Sequence, residues 1–219
     1  MTNALLVVAK RPAPGQTKTR LSPPLLPMES AVLYEQFLRD TLALMRQVPG
    51  VQPIIAYLPE GEEAYFCGLA PDFALLPQQG EDLGARLDNA LTHCLNSGFH
   101  KAVIMDSDSP TLPVAYLVEA FVALDTADVV LGPCDDGGYY LIGLKRPAPR
   151  LLREVRMSTP TVIQETRQLA AATGLTVAQL PRWYDVDTAA ELGRLRQELI
   201  TLPADRAPYT RRFLENGHR

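Results

Sequence analysis

The chain has 219 residues, 47% hydrophobic and 21% charged, the balance of a soluble globular protein and not of a disordered or fibrous one. Lys+Arg 21 against Asp+Glu 25 leaves a formal charge of -4, so no general positive field gathers nucleic acid or an anionic membrane, and any phosphate binding has to be local. The length suits one domain burying roughly 70% of its extended surface without disulfides or structural metal, and Cys67, Cys94 and Cys134, odd in number and far apart, read as reduced thiols of a cytoplasmic protein.

Apolar stretches of strand length alternate with helix-period segments, the pattern of a layered α/β fold around a mainly parallel sheet. Ala4 to Ala9 is continuous rather than alternating and reads as a strand buried on both faces. It is too short for a signal core, and Lys10 and Arg11 follow it instead of preceding it. Residues 29–48 put Tyr34, Phe37, Leu38, Leu42, Met45 and Val48 on one helical face. Pro53 to Tyr57 predicts a second strand. Asp82 to Leu95 predicts a helix, with Leu83, Leu87, Leu91 and Leu95 four apart, and Lys101 to Met105 a strand running into Asp106-Ser-Asp108-Ser-Pro110. Val114 to Leu124 is helical in pattern, and Asp128 to Leu131 and Tyr139 to Gly143 read as two strands around a turn at 135–138. Thr159 with Pro160 predicts the N-cap and first turn of a helix ending before Gly174. Leu175 to Leu180 reads as a last core strand, and Thr188 with Glu191 as a capping box for a helix through Ile200. No run approaches the roughly 20 apolar residues of a membrane helix. No repeat or linker divides the chain, so one domain over 1–202 is expected, with a basic surface helix or tail over 203–219.

Lys10 to Arg20 holds four cations where a buried strand emerges. Pro12 and Pro14 restrict the backbone and Gly15 permits a positive φ. An extended path puts Lys18 and Arg20 on one side, a point charge beside a planar fork for adjacent phosphate oxygens. No glycine precedes Lys18, so this is not a Walker A loop, and a solvated basic loop is the plain alternative. Asp106 and Asp108 offer hard oxygens at the carboxyl end of a strand, suited to Mg²⁺ or Mn²⁺ on a pyrophosphate; alternatively, one caps the next helix and the other is solvated. Asp185 and Asp187 either close that site with Asp108 or compensate a helix dipole. A hairpin explains Asp136-Gly137, but Gly132, Pro133 and Gly138 around it suggest a loop shaped to approach a ligand. Asp82 is a good N-cap, and the N–H groups beyond Gly80 are free to meet a base or phosphate. His93, His100 and His218 have no ligand spacing and read as surface or packing residues.

Taken in order, KRPAPGQTKTRL, GEDLGARL, DSDSPTLP, VLGPCDDGGYYLIGL, MSTPTVIQET and DVDTAAEL resemble the DUF2064 family, also described as radical-SAM/selenodomain-associated transferase 1, of the GT-A-type nucleotide-diphospho-sugar transferases. The resemblance runs from Lys10 to about Leu192, and a slighter one extends to the 2-phospho-lactate and molybdenum-cofactor guanylyltransferases. It implies a three-layer α/β/α, Rossmann-like GT-A fold with a mainly parallel central sheet. It further implies that Lys18 and Arg20 hold the nucleotide phosphates and act with Asp108 as the catalytic residues; on the reading of their own loops, Lys10, Pro14, Gly15, Gly80, Asp82 and Gly84 are expected to join Lys18 and Arg20 around the nucleotide. Asp108 is implied as principal ligand of Mg²⁺ or Mn²⁺ with Asp187 as the second metal carboxylate, and Asp136, Gly137, Gly138 and Tyr139 as the acceptor or sugar side; Asp106 is a third metal candidate on this chain's own D-x-D spacing. Relatives usually carry glycine where this chain has Asp106, so its D-x-D imitates a glycosyltransferase metal motif.

The expected function is metal-dependent nucleotidyl transfer from an NTP to a phosphorylated small molecule. The rivals are glycosyl transfer from a nucleotide sugar and a nucleotide-binding module without turnover. Neither nucleic acid nor membrane is an expected partner, and Tyr209, Phe213 and Leu214 pack either on their own domain or on a second subunit of a homo-oligomer.

Overall fold

The computed structural model describes residues 2–216; His218 lies outside them. Seven strands form one sheet: β1 (Asn3–Lys10), β2 (Val51–Leu58), β3 (Ala74–Pro77), β4 (Ala102–Met105), β5 (Val129–Pro133), β6 (Tyr139–Leu144) and β7 (Val177–Gln179). Their spatial order is β3-β2-β1-β4-β6-β5-β7. Every neighbouring pair is parallel except those of β6, which runs against β4 and β5. Six strands therefore end at one edge of the sheet, where ligands of open α/β sheets gather.

The period-2 alternation of a strand sorts its side chains between two helical layers. Leu5, Val7, Ile55, Tyr57, Val103 and Met105 face the layer made by α1 (Pro27–Met45), α2 (Glu63–Leu69) and α4 (Val114–Ala123), which contribute Leu38, Leu42, Phe66 and Leu117. Ala4, Leu6, Ile54, Ala56, Ile104 and Ile142 face α3 (Leu83–Asn96), α5 (Arg150–Arg153) and α6 (Val162–Ala172) through Leu87, Leu91, Leu151 and Ala170. Full burial of each such Leu or Ile contributes on the order of 2 kcal/mol. This is the expected three-layer α/β/α sandwich around a mainly parallel sheet, and no helix among the described residues is long and apolar enough to cross a membrane.

Local chemistry sets the starts of three helices. Pro27 opens α1, with the Glu29 carboxylate accepting the Leu26 N–H at 2.8 Å. Asp82 caps α3 through the Ala85 N–H at 2.7 Å. Thr188 and Glu191 form the capping box of α7 (Ala189–Thr201), Glu191 accepting the Thr188 N–H at 2.7 Å. The start of α6 differs from expectation: its N-cap is Thr161, because the Thr159 hydroxyl instead donates to the Arg156 carbonyl at 2.9 Å. The basic end of the chain folds as α8 (Pro208–Glu215), with Ala207 and Thr210 buried against the body of the protein.

Candidate active site

Four segments that are distant in sequence meet at the sheet edge. The loop after β1 is folded by Thr17, whose hydroxyl accepts the Ala13 N–H at 3.2 Å and donates to the Ala13 carbonyl at 3.1 Å. Gly15 takes φ +70° there. The extended path expected for Lys18 and Arg20 is not adopted: Lys18 has φ 49° and leads into a 3₁₀ turn over Thr19–Leu21, whose Leu21 is fully buried. The two cations meet through a shared partner instead. Lys18 Nζ lies 2.9 Å from Asp108 Oδ2 and 2.6 Å from Asp187 Oδ1, and Arg20 Nη1 lies 3.1 Å from Asp187 Oδ2. Burial disfavours the charged Lys18, but the carboxylates of Asp108 and Asp187 outweigh it and hold its pKa above the usual lysine value.

Asp108 and Asp187 are brought together by their backbones. The Val186 N–H donates to the Asp108 carbonyl at 3.0 Å, and the Ser109 hydroxyl reaches the Tyr184 carbonyl at 3.0 Å. Beneath them, the buried Tyr34 hydroxyl accepts the Lys10 N–H at 3.1 Å and pairs with Ser107 Oγ at 2.9 Å; burial pushes its pKa up to about 12. Lys10, Gln16, Lys18, Arg20, Asp108 and Asp187 enclose a cleft of about 270 Å³.

These residues fit a divalent cation. Asp108 Oδ1 is buried without a hydrogen-bond partner, Asp187 offers a second carboxylate beside it, and both are the hard oxygen donors that Mg²⁺ and Mn²⁺ take. Asp106 is differently placed. Its carboxylate accepts the Asp108 N–H at 3.3 Å and the Ser109 hydroxyl at 3.1 Å, while burial, then the charges of Asp108 and Asp185, raise its pKa well above the carboxylate range.

The remaining candidates do not line the Lys18 cleft. Gly137, at φ +92° in the β5–β6 turn, runs so close to Pro160 that a Cβ would stand 2.0 Å from the Pro160 carbonyl oxygen. Asp136 Oδ1 accepts the Gly138 N–H at 2.8 Å, and Tyr139 OH approaches Met157 Sδ at 3.6 Å. The MSTPTVIQET segment thus closes over this turn. Gly80 and Asp82 follow β3, which two strands separate from β4, and do not line the Lys18 cleft. Gly84 is needed for packing: a Cβ would stand 2.1 Å from the Leu152 carbonyl oxygen of α5.

Tyr34, Ser107 and Ser109 were not singled out by sequence reasoning, because they have partners in other segments; Thr17 was passed over although its partner Ala13 is in its own loop, since nothing in the spacing marks a threonine as a loop tie. Sequence spacing equally hides Cys134, which meets Asp136 and Asp185 so that one ligand atom from each lies within 4.8 Å of the others. Beside them Asp135, Asp136, Tyr184, Asp185, Glu191 and Arg194 line a second cleft of about 300 Å³. There Arg194 bonds Asp135 at 2.6 Å and stacks 3.7 Å over the Tyr184 ring.

Fold and site together define an enzyme of the nucleotide-diphospho-sugar transferase type. Its family is DUF2064, described as an uncharacterized protein conserved in bacteria, whose family model matches residues 41–159; the chain belongs to it. Over 183 residues it is 35% identical to the 2-phospho-L-lactate guanylyltransferase of Methanothermobacter thermautotrophicus, covering 81% of this chain and 78% of the relative. A solved structure from Desulfovibrio desulfuricans G20, provisionally described as a nucleotide-diphospho-sugar transferase, superposes with TM-score 0.90 at 31% identity over 99% of this chain and 96% of that one. The 4-diphosphocytidyl-2C-methyl-D-erythritol synthase of Anaerococcus prevotii DSM 20548 shares the fold, with TM-score 0.61 at 9% identity over 90% of this chain and 96% of that one.

Proposed function

We propose that this protein transfers a nucleotidyl group from an NTP to a phosphorylated small molecule, with Mg²⁺ or Mn²⁺ bound by Asp108 and Asp187. The observation that carries the reading is the convergence of Lys18 and Arg20 on Asp108 and Asp187 in one cleft at the carboxyl edge of the sheet. The 35% identity to a guanylyltransferase with a phosphorylated acceptor supports the reaction type. Bound there, a divalent cation would neutralise phosphate oxygens.

Lys10, Lys18 and Arg20 supply the cations that hold the triphosphate and offset charge as pyrophosphate leaves. An oxygen of the acceptor's own phosphate attacks the α-phosphorus, and the bond to the β-phosphate breaks with its electron pair on pyrophosphate. No protein nucleophile is required. The acceptor is assigned to the turn of Asp136, Gly137, Gly138 and Tyr139, whose Asp136 lines the second cleft. Asp106 acts as a brace for the Asp108 loop, since both its oxygens serve neighbours in that loop. Read as a brace, Asp106 gives no support to glycosyl transfer.

Titration calorimetry with each NTP and its common sugar diphosphates, with Mn²⁺ and with EDTA, tests the reading. Metal-dependent binding of one NTP is expected, and Asp108→Asn should lower metal-dependent turnover by at least about 100-fold while leaving the melting temperature near that of the wild type. Preference for a sugar nucleotide, with nucleoside diphosphate as product, would replace the reading with glycosyl transfer. Binding without turnover on any phosphorylated acceptor would leave a nucleotide-binding module.

A further inference from the structure

We propose that Lys18 is the resident counter-ion of the metal carboxylates. In the ligand-free protein its ammonium holds the bridging position between Asp108 and Asp187, and it yields that position only to a cation arriving with nucleotide phosphates. The inference rests on the assignment of Asp108 and Asp187 as metal carboxylates and goes beyond it to the order in which the site fills.

The geometry argues for occupancy rather than casual pairing. Lys18 Nζ is within 2.9 Å of one carboxylate and 2.6 Å of the other, and its side chain is only 5% exposed. Its backbone cannot move aside easily. Thr17 is tied twice to Ala13, Lys18 itself has a left-handed φ, and the buried Leu21 anchors the turn that follows. Vacating the bridge is therefore a side-chain rotation, and the stem keeps the ammonium inside the cleft it shares with Lys10 and Arg20.

Charge balance sets the order. Lys18 and Arg20 balance Asp108 and Asp187, and Lys10 lines the same cleft, so a free divalent cation meets no net negative charge among these groups and a bridging place that is already cationic. A nucleotide changes that balance, because its phosphates offer Lys18 and Arg20 new partners as the carboxylates are released. The same lysine then serves two anions in turn, the protein's own carboxylates at rest and the phosphates during turnover.

Mn²⁺ alone, titrated into the full chain and read by the electron paramagnetic resonance of the free ion, tests this without any turnover. Lys18→Met is expected to bind Mn²⁺ at least about tenfold more tightly than the wild type, although it removes a residue placed in the catalytic machinery. Adding Asp108→Asn to that variant should abolish the gain. Lys18→Gln, which keeps a hydrogen-bond donor on a shorter stem, should shift affinity in the same direction and guards against a failure of Lys18→Met to fold. Mn²⁺ should also raise the melting temperature of either variant more than that of the wild type.

Equal Mn²⁺ affinity in wild type and both Lys18 variants, lost in each with Asp108→Asn, would overturn the counter-ion role and leave the metal assignment standing. Mn²⁺ binding indifferent to Asp108→Asn, with or without NTP, would overturn both.

Discussion

The Tyr34 hydroxyl joins the last residue of β1, through the Lys10 N–H, to Ser107 beside Asp108. It thereby fixes the distance between the loop that carries Lys18 and the loop that carries Asp108. Tyr34→Phe keeps the ring and removes only that link, leaving two buried polar groups short of a partner at a cost of about 1–2 kcal/mol. The expected result is a rise of about fivefold or more in KM for the NTP with a much smaller change in kcat, measured alongside the melting temperature. A lower melting temperature with unchanged KM would reduce Tyr34 to a packing residue. Helical spacing correctly places Tyr34 on the buried face of α1, but it says nothing about a hydroxyl whose partner is 73 residues away. The charged residues were easier to read, since Lys18, Asp108 and Asp187 each follow a strand that its apolar run reveals. What spacing missed was their means of meeting, a left-handed lysine and not an extended segment.

Elements with strong periodic signals were legible: α1, α3, α4, α7 and the long central strands are close to their expected limits. The misses are short or marginal. β3 has four residues at the edge of the sheet, none of them fully buried, and α2 and α5 have seven and four, too few for a helical period to declare itself. Helix α8 shows a different limitation, because its docking depends on a charge inside another helix. Asp40 of α1 is 3% exposed and accepts the N–H groups of Tyr209 at 3.1 Å and Thr210 at 2.8 Å, satisfying donors that the first turn of α8 leaves free. Asp40→Ala should cost about 1–3 kcal/mol and loosen α8, seen as faster amide exchange over 208–215. Burial raises the Asp40 pKa in the fold despite those N–H groups. A raised folded-state value means that its stabilising contribution is complete below the unfolded carboxylate pKa of about 4 and is lost as pH rises through the folded value. Melting temperatures of the wild type and Asp40→Asn at several pH values from 4 to 7 check the sign. The advantage of the wild type should be greatest in acid and shrink with rising pH, whereas a widening gap would mean that the ionised carboxylate is the favoured form.

At the scale of the whole molecule, the parallel sheet carries the motifs to one edge, and a third apolar cluster supports that edge from outside the sheet. Leu21 and Leu25 from the segment between β1 and α1, Tyr184 and Val186 from the Asp187 segment, and Leu192, Leu195 and Leu199 from α7 share this cluster with Ala207, Phe213 and Leu214 at the chain end. Alternation of strand and helix made the layered sheet readable, because each element announces its own period. The third cluster has no such signature, since it is assembled from loops and the last two helices, and a boundary near residue 202 was the natural reading. Its composition ties the tail to the site. Ending the chain after Leu202 would uncover one side of the apolar group that also seats Leu21, three residues from Lys18, and Val186, next to Asp187. The truncated chain should lose on the order of 3 kcal/mol in denaturant unfolding. It should also bind NTP more weakly, because both loops of the cleft rest on the exposed cluster. Point substitution separates these effects: Phe213→Ala should reproduce part of both losses, whereas Arg212→Ala, on the same helix, should reproduce neither. If truncation lowers stability and leaves NTP affinity intact, α8 supports only the fold; if both fall together, the last helix is part of what holds the Lys18 loop against Asp187.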